Sequence, residues 1–343
     1  MKLLKSIIIS RTDNLGDVVL TLPMAGMLKS ILPDVKIYFI GKAYTKPVII
    51  ASRHVDEFID RESILKNPEL LQRIQADAII HVFPDKKIAR LAKEANIPIR
   101  VATSHRWFHW LFCNKLVNLS RKNSILHEAQ LNLQLLKPLG IERTPALTEI
   151  AQRYGLSATR FSLPATIAAL IQPDKFNLIL HPKSKGSARE WPLSHYLELV
   201  KQLHADQFQI FITGTETEGQ QIREQLPALF NFEHVHNLTG KLNLEQLISF
   251  IDNVDGLLAC STGPLHIAAA LDKYALGIYP PMRPIHPGRW APVGEKAEVL
   301  CLDKTCNDCR KTQYCTCIQS ITVEQAKDKI TAWLPSYVSN NQA

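Results

Sequence analysis

Short apolar segments alternate with amphipathic ones along this chain, and the alternation limits the fold more than any other feature. Runs rich in Ile, Val and Leu are typical of buried strands, and apolar residues at helical spacing follow them after polar loops. Strands that alternate with helices form a parallel sheet with crossover helices, so the sequence predicts an α/β fold. The predicted strands span 5–10, 36–40, 78–82, 100–102, 176–181, 209–213, 256–259, 274–279 and 299–302, with a short one starting at 235. The predicted helices span 18–32, 87–95, 126–139, 193–204, 244–253 and 322–334, with another starting near 218.

The alternation is interrupted between residues 141 and 175, where three prolines occur and the periodicity weakens. Since a length of 343 residues suggests two domains, we interpret this region as the one that joins them, with Leu147–Ile150 as a candidate strand. We expect two doubly wound, Rossmann-like domains that face one another across a cleft. Their predicted bounds are 1–150 for the first domain, 151–175 for the linker, 176–320 for the second domain and 321–343 for a C-terminal helix and tail.

Positive charge is concentrated in the first half of the chain. The formal net charge is +8, and residues 1–150 contain 22 Lys and Arg against 14 Asp and Glu, whereas residues 151–343 contain 18 of each. Such an excess favours an anionic partner, which can be a nucleic acid, an anionic membrane surface or a phosphorylated substrate. A basic surface that serves only solubility is the alternative.

The N-terminus resembles a weak signal peptide, but Arg11, Asp13 and Asp17 stand where a small-residue cleavage site would be. We therefore interpret the first apolar run as a core strand. No stretch approaches the ~20 apolar residues that a spanning helix needs. The expectation is a soluble, cytoplasmic protein that can lie on a membrane surface.

The loop Arg11–Asp17 follows the first predicted strand, and in doubly wound sheets ligands bind outside the carboxyl ends of the strands. Gly16 permits an unusual backbone angle or a close approach. Asp17 is a candidate general base, and Asp13 is another candidate; helix N-capping is the alternative for both. The loop is not a GxGxxG motif, which disfavours nicotinamide binding.

The loop 182–192 follows a later strand and combines serines and a glycine with Lys183, Lys185 and Arg189. Hydroxyl and backbone donors beside fixed positive charge suit a phosphate group. The spacing is not that of a P-loop, and a solvated basic loop is the alternative. We expect Trp191 to anchor the end of this loop.

Two further turns follow predicted strands. In the segment Thr213–Glu218, the carboxylate of Glu218 is a candidate for a ribose hydroxyl, with helix capping as the alternative. In the segment Cys260–Ala270, Thr262 or Gly263 can leave backbone N–H groups free at the start of a helix. Free N–H groups at a helix start attract an anion such as a diphosphate; an ordinary strand-to-helix turn is the alternative.

Four of the seven cysteines lie close together, with the spacing C-x2-C-x5-C-x-C, at Cys306, Cys309, Cys315 and Cys317. In a cytosolic protein this pattern favours reduced thiols or a zinc site over disulfides. The C-x-C half is unusual for a structural zinc site, so reduced thiols are the main interpretation.

Taken together, these segments resemble those of the bacterial heptosyltransferases of glycosyltransferase family 9, which have the GT-B fold. The resemblance covers nearly the whole chain, and its specificity lies in the combination of motifs. The matching segments are Ile7–Pro23, His181–Pro182, Arg189–Pro192, Asn237–Lys241 and Ser261–Ala270.

The resemblance implies an inverting, metal-independent transfer of a heptose from ADP-heptose to the lipopolysaccharide inner core, with no cofactor. It implies that Asp17 is the general base and that Arg189 neutralises the donor diphosphate. The residues that it implies for donor binding are Ser184, Lys185, Glu218, Leu242, Ser261, Thr262, Gly263 and His266.

On the acceptor side, Asp13 and Arg106 are the candidates. The aromatic and basic segment 106–110 is expected at the acceptor or membrane face, with a core-packed loop as the alternative. The implied partners are a lipopolysaccharide core or other phosphorylated glycolipid and the cytoplasmic surface of the inner membrane.

One departure from the family pattern leaves the donor sugar open. Ser261 stands where well-known heptosyltransferases have an Asp that contacts the sugar, so a different nucleotide sugar or a different surface-glycan acceptor is the alternative. A glycosyltransferase that only binds nucleotide is disfavoured by the presence of Asp17.

Two other classes of protein fit less well. A nucleotide-sugar epimerase or dehydrogenase would need a glycine-rich loop after the first strand, and the chain has none there. A nucleic-acid-binding protein would use the basic first half but would leave the loops of the second half unexplained. We therefore expect no nucleic-acid partner.

Overall fold

The chain forms two compact units, Met1–Ser157 and Ala158–Ala343. The structure, a computed structural model, describes residues 4–121, 124–308, 312 and 314–334. Each unit contains a six-stranded parallel sheet with helices between successive strands.

The sheet of the first unit has the strand order β3-β2-β1-β4-β5-β6. Its strands are β1 (Ser6–Ser10), β2 (Lys36–Gly41), β3 (Glu57–Asp60), β4 (Ala78–His81), β5 (Ile99–Thr103) and β6 (Lys115–Val117). Its helices are α1 (Leu15–Val19), α2 (Pro23–Ile31), α3 (Lys46–Ile50), α4 (Arg61–Lys66), α5 (Glu69–Ile74), α6 (Lys86–Glu94), α7 (Trp107–Phe112), α8 (Glu128–Leu133) and α9 (Leu147–Ala151), with 3-10 turns at Ala43–Thr45 and Gln134–Leu139.

The sheet of the second unit has the order β12-β11-β10-β7-β8-β9. Its strands are β7 (Phe176–His181), β8 (Phe208–Ile212), β9 (Val235–Asn237), β10 (Gly256–Cys260), β11 (Tyr274–Ile278) and β12 (Ala297–Leu300). Its helices are α10 (Ala165–Ala168), α11 (Leu193–Gln202), α12 (Glu216–Gln225), α13 (Leu244–Asn253), α14 (Gly263–Ala270), α15 (Pro287–Trp290), α16 (Thr316–Gln319) and α17 (Val323–Thr331), with a 3-10 turn at Pro227–Phe230. When the strands are counted within each unit, the two sheets have the same order, and both are doubly wound. The predicted α/β class is confirmed.

The central strands are apolar because crossover helices cover both faces of each sheet. Ile7, Ile8 and Ile9 of β1 are completely buried, and Ile8 pairs in register with Tyr38 of β2 and Ile79 of β4. Continuous apolar runs of this kind are the signal that made the central strands predictable.

Three predicted elements are wrong in detail. Leu147–Ile150 is not a strand but lies in helix α9, where Glu149 in the first turn complements the positive helix end and pairs with Arg143 at 2.8 Å. The predicted helix 18–32 is interrupted between α1 and α2, since Pro23 begins a new helix. The predicted helix 126–139 continues after Leu133 only as a 3-10 turn, because Pro138 cannot donate to an α-helical ladder.

None of the helices within the described ranges is long and apolar enough to cross a bilayer.

Candidate functional site

The predicted polar loops leave the sheets where the strand order reverses. In the first unit this point lies between β1 and β4, and in the second between β7 and β10. Doubly wound sheets bind ligands in the crevice outside the carboxyl ends of the strands at such a point. The loop Arg11–Asp17 leaves β1, the loop 182–192 leaves β7 and the turn Ser261–Thr262 leaves β10.

A buried arginine organises the loop after β1. Arg11 donates through Nε to Asp13 Oδ1 at 2.7 Å and through Nη2 to Asp17 Oδ1. Its Nη1 donates to Glu128 Oε1 at 3.4 Å and to Asn132 Oδ1 at 3.2 Å, both on α8. One guanidinium group therefore faces three carboxylates, and we call these five side chains the Arg11 cluster.

The Arg11 cluster changes the proton affinity of Asp17. Burial raises the pKa of Asp17 from its ordinary value of 3.8 to about 6; Arg11 opposes the rise, and the charges of Asp13 and Glu128 add to it. The side chain keeps 15% of its surface exposed. A carboxylate that binds a proton unusually well and remains accessible has the properties of a general base.

Local contacts fix the backbone around Asp17. The N-cap of α1 is Asn14, and Asp17 lies in the first turn, so helix N-capping does not describe its side chain. Thr21 Oγ1 donates to the Asp17 carbonyl at 2.8 Å and accepts from Asn132 Nδ2 at 3.2 Å. These bonds connect the C-terminal end of α1 and the residues that follow it to α8.

The sequence did not identify Arg11, Glu128 or Asn132 as parts of this site. The available signal was Glu128, the only acidic residue in the predicted helix 126–139. Of the acceptor-side candidates, Asp13 belongs to the Arg11 cluster, while Arg106 is exposed at the N-cap of α7, directly after β5. The carboxyl ends of β1 and β5 lie at the same edge of the sheet, although β4 separates these strands.

In the second unit, helix α14 begins without a side-chain cap. Thr262 is its N-cap residue, and the buried Thr262 Oγ1 has no hydrogen-bond partner among the described residues. Pro264 occupies the first turn, and Ser261 and Gly263 are partly exposed. The turn thus leaves a hydroxyl group and backbone N–H groups for an anion.

The loop after β7 neutralises part of its own charge. Ser184 donates through its backbone N and through Oγ to Glu190 Oε1, each at 2.9 Å, and Lys183 Nζ lies 3.2 Å from Glu190 Oε2. Lys185 is exposed, and its φ of +49° is followed by Gly186 at +78°. The exposed positive charge at this turn is that of Lys185, and Arg189 is half-buried.

The loop end is anchored as expected. The backbone N of Trp191 donates to Cys260 Sγ at 3.3 Å, and Trp191 Nε1 donates to the Ile321 carbonyl at 2.8 Å. The first of these bonds joins the loop after β7 to the end of β10.

Glu218 makes the contacts of a helix cap. Its Oε2 accepts from Thr215 N at 2.7 Å and from Thr215 Oγ1 at 2.8 Å in the capping box of α12.

His181, at the end of β7, is a neutral ring at pH 7. Its Nδ1 lies 2.9 Å from Thr213 Oγ1, and burial lowers the pKa of His181 to about 4. The ribose role of Glu218 stays a prediction, as do the donor roles of Leu242, which is half-buried after β9, and of His266, which is buried in α14.

The cysteines contribute to packing. Cys306, Cys315 and Cys317 are buried in the hydrophobic core of the second unit, and Cys309 lies outside the described residues. Across the parts of the chain that the structure describes, no group of three or more His, Cys, Asp or Glu side chains could hold a metal ion.

The chain matches known glycosyltransferases in sequence. The sequence model for "Glycosyltransferase family 9 (heptosyltransferase)" matches residues 67–317. A provisionally named glycosyltransferase of Haemophilus influenzae is 25% identical over 307 residues, which cover 85% of this chain and 87% of that protein. Lipopolysaccharide heptosyltransferase 2 of Salmonella typhimurium is 32% identical over 117 residues, which cover 34% of this chain and 33% of that enzyme.

The fold also matches a solved enzyme structure. The Escherichia coli ADP-heptose lipopolysaccharide heptosyltransferase II superposes with a TM-score of 0.75 at 21% identity, over 97% of this chain and 99% of that one. This likeness confirms the predicted α/β fold of the GT-B type. With the family match extending over most of the chain, it follows that the protein is a glycosyltransferase and belongs to glycosyltransferase family 9, the heptosyltransferase family.

Proposed function

We propose that the protein is an inverting heptosyltransferase that transfers a heptose from ADP-heptose to a lipopolysaccharide core acceptor. The observation that carries the proposal is Asp17, a partly exposed carboxylate whose pKa burial raises to about 6. The proposal is supported by the names of two matched enzymes, a lipopolysaccharide heptosyltransferase and an ADP-heptose lipopolysaccharide heptosyltransferase.

On the acceptor side, Asp17 takes the proton of the attacking hydroxyl group. The acceptor oxygen forms a bond to the anomeric carbon while the bond from that carbon to the diphosphate breaks, so the configuration inverts and ADP leaves with the electron pair. Arg11 holds the Asp17 carboxylate in place at its Oδ1. Burial favours the protonated form, which makes the carboxylate a better base than an exposed aspartate.

On the donor side, the leaving diphosphate needs fixed positive charge and donors. The uncapped start of α14 offers N–H groups and Thr262 Oγ1, and the loop after β7 offers Lys185 and Arg189. Donors that are in place before the reaction stabilise charge as it develops on the leaving group.

A phosphorylated glycolipid at the cytoplasmic surface of the inner membrane is the acceptor class that we propose. Residues 1–150 contain 22 basic and 14 acidic residues, a net charge of +8. This positive charge suits an acceptor with phosphates and acidic sugars. This acceptor accounts for the charge without a nucleic-acid partner.

A family 9 enzyme for another nucleotide sugar is the second candidate. It is favoured by Ser261, a partly exposed residue directly after β10, where the resemblance implies an Asp that contacts the sugar. A donor screen decides between the two. Purified protein with core acceptor should turn over ADP-heptose at least tenfold faster than UDP-, GDP- or other ADP-sugars, and faster turnover of another sugar would assign the second function.

Replacing Arg189 with Ala should reduce kcat/KM for the nucleotide sugar at least tenfold, about 1.4 kcal/mol, because a cation near the leaving diphosphate is lost. The matched control is Lys201→Ala, which removes an exposed cation of α11 that pairs with Glu198 and should keep kcat/KM within twofold. Steady-state kinetics at varied concentrations of the nucleotide sugar measure kcat/KM for both variants. Unchanged donor kinetics in Arg189→Ala would remove Arg189 from the proposed site.

A further inference from the structure

Helix α7 has apolar residues on both faces. Its inner face packs Phe108 and Phe112 against a small buried cluster that includes Cys113. Its outer face presents Trp107, Trp110 and Leu111, which are 65%, 66% and 55% exposed. We call these three residues the Trp107 face.

The spacing and the contacts make the Trp107 face a defined surface. Positions i, i+3 and i+4 lie on one side of a helix, where a helix of a water-soluble domain normally carries polar residues. Trp110 Nε1 donates to the Ser104 carbonyl at 2.9 Å, which orients that ring. A contiguous apolar surface of this kind marks an interaction site.

Cations border the Trp107 face along the neighbouring helix. The exposed residues of α6 are four cations and one acid, namely Lys86, Lys87, Arg90, Lys93 and Glu94. Lys86 Nζ lies 4.6 Å from the Trp107 ring centroid, and Lys93 Nζ donates to the Leu111 carbonyl at 2.9 Å. Arg90 Nε lies 3.5 Å from Glu94, so the border keeps a net positive charge.

We propose that the Trp107 face inserts into the headgroup region of an anionic lipid bilayer, with the α6 cations against the lipid phosphates. Tryptophan is enriched at this depth because its ring is apolar and its N–H is polar. A symmetric second copy would bring the α6 cations against one another, and a nucleic acid would leave Leu111 without an apolar partner. The proposal rests on the proposed function only in the expectation that the acceptor is a glycolipid.

Vesicle co-sedimentation of the full chain tests the inference. The protein should bind vesicles with one-third phosphatidylglycerol at least tenfold more tightly than pure phosphatidylcholine vesicles. This preference should disappear as salt is raised from about 0.1 M to about 1 M, where the Debye length falls from about 10 Å to about 3 Å.

Two sets of variants separate the apolar and charged contributions. Trp107→Ser/Leu111→Ser should bind anionic vesicles at least tenfold more weakly. Its matched control, Ile31→Ser/Leu147→Ser, removes exposed apolar residues elsewhere in the same unit and should bind like the wild type. Lys87→Gln and Arg90→Gln should each weaken binding about fivefold.

Fluorescence shows which part of the protein meets the lipid. Trp191 and Trp333 are buried and Trp290 is half-buried, so quenching by brominated lipids should come from Trp107 and Trp110. Trp107→Phe/Trp110→Phe should keep vesicle binding and lose the quenching, which also controls for misfolding. Quenching that survives this change would overturn the inference.

The remaining outcomes distinguish the inference from the proposed function. Turnover of a water-soluble, deacylated acceptor without any vesicle binding contradicts the inference alone. Vesicle binding through Trp107 and Leu111 without sugar transfer contradicts the proposed function alone. Equal binding of both vesicle types, a dimer that Trp107→Ser/Leu111→Ser dissociates, or salt-sensitive RNA binding in place of vesicle binding would each overturn the inference.

Discussion

Replacing Asp17 with Asn should lower kcat by about 10²- to 10⁴-fold, the usual contribution of a positioned general base. The amide fits the same space but cannot accept the proton of the acceptor hydroxyl group. Asp34→Asn, at an exposed position of the same unit, is the matched control and should keep the wild-type rate. Turnover with saturating donor and acceptor measures both variants, and an Asp17→Asn enzyme whose rate stays within threefold of the wild type would exclude this role.

The pH dependence of the wild type provides a second measurement of the same group. The base works only when it is ionised, so kcat/KM should fall tenfold per pH unit below a midpoint near the raised pKa of about 6, and not near the ordinary value of 3.8. This acid limb should be absent from the residual activity of Asp17→Asn.

The same substitution should stabilise the protein at neutral pH. Because the pKa of Asp17 is higher in the folded state, the folded state binds the proton more tightly, and stability falls as pH rises from about 4 to about 6. Asp17→Asn removes that cost and should raise the free energy of unfolding at pH 7 by about 1–3 kcal/mol. Thermal unfolding at pH 7 should show a higher Tm, and the difference should vanish near pH 4. A lower Tm at pH 7 would contradict this account.

Of the variants proposed here, Arg11→Met should lower the free energy of unfolding most, by about 3–5 kcal/mol. Removing one partner of a buried ion pair leaves carboxylates buried without a compensating charge. Asp17 and the completely buried Glu128 both face Arg11, although Arg121 also contacts Glu128. The expected fall in Tm is about 10 °C, measured by differential scanning calorimetry at pH 7.

Two variants control this prediction. Arg73→Met replaces a guanidinium group that is 73% exposed and should change stability by less than about 0.5 kcal/mol. Arg11→Met/Glu128→Gln should recover part of the loss, since one uncompensated charge is then removed. If the double variant is less stable than Arg11→Met, charge burial is not the cause.

The features that could be predicted from the sequence are those that depend on residues close together in the chain. The central strands follow from continuous apolar runs, and the loop after β1 was identified because Asp17 follows a strand within seven residues. The short edge strands β3 and β6, of four and three residues, were missed. The cap of α12 was an open alternative, because Thr215 and Glu218 fit a capping box as well as a ribose site.

The Arg11 cluster could not be predicted in the same way. Arg11 and Glu128 are 117 residues apart, and only the folded sheet brings β1 and α8 together. The pKa of Asp17 depends on that pairing and on burial, so the sequence could name the carboxylate but not its proton affinity. The donor roles assigned to Lys185 and Arg189 stay predictions.

The shared strand order of the two sheets has a consequence for how such enzymes diversify. Each unit carries its polar loops at its own strand reversal. Under the proposed function, substitutions in the loops after β7 and β10 would change the activated sugar that is bound, while the loop after β1 keeps the carboxylate that acts as the base. On that proposal, the change to Ser261 affects the donor-side unit alone.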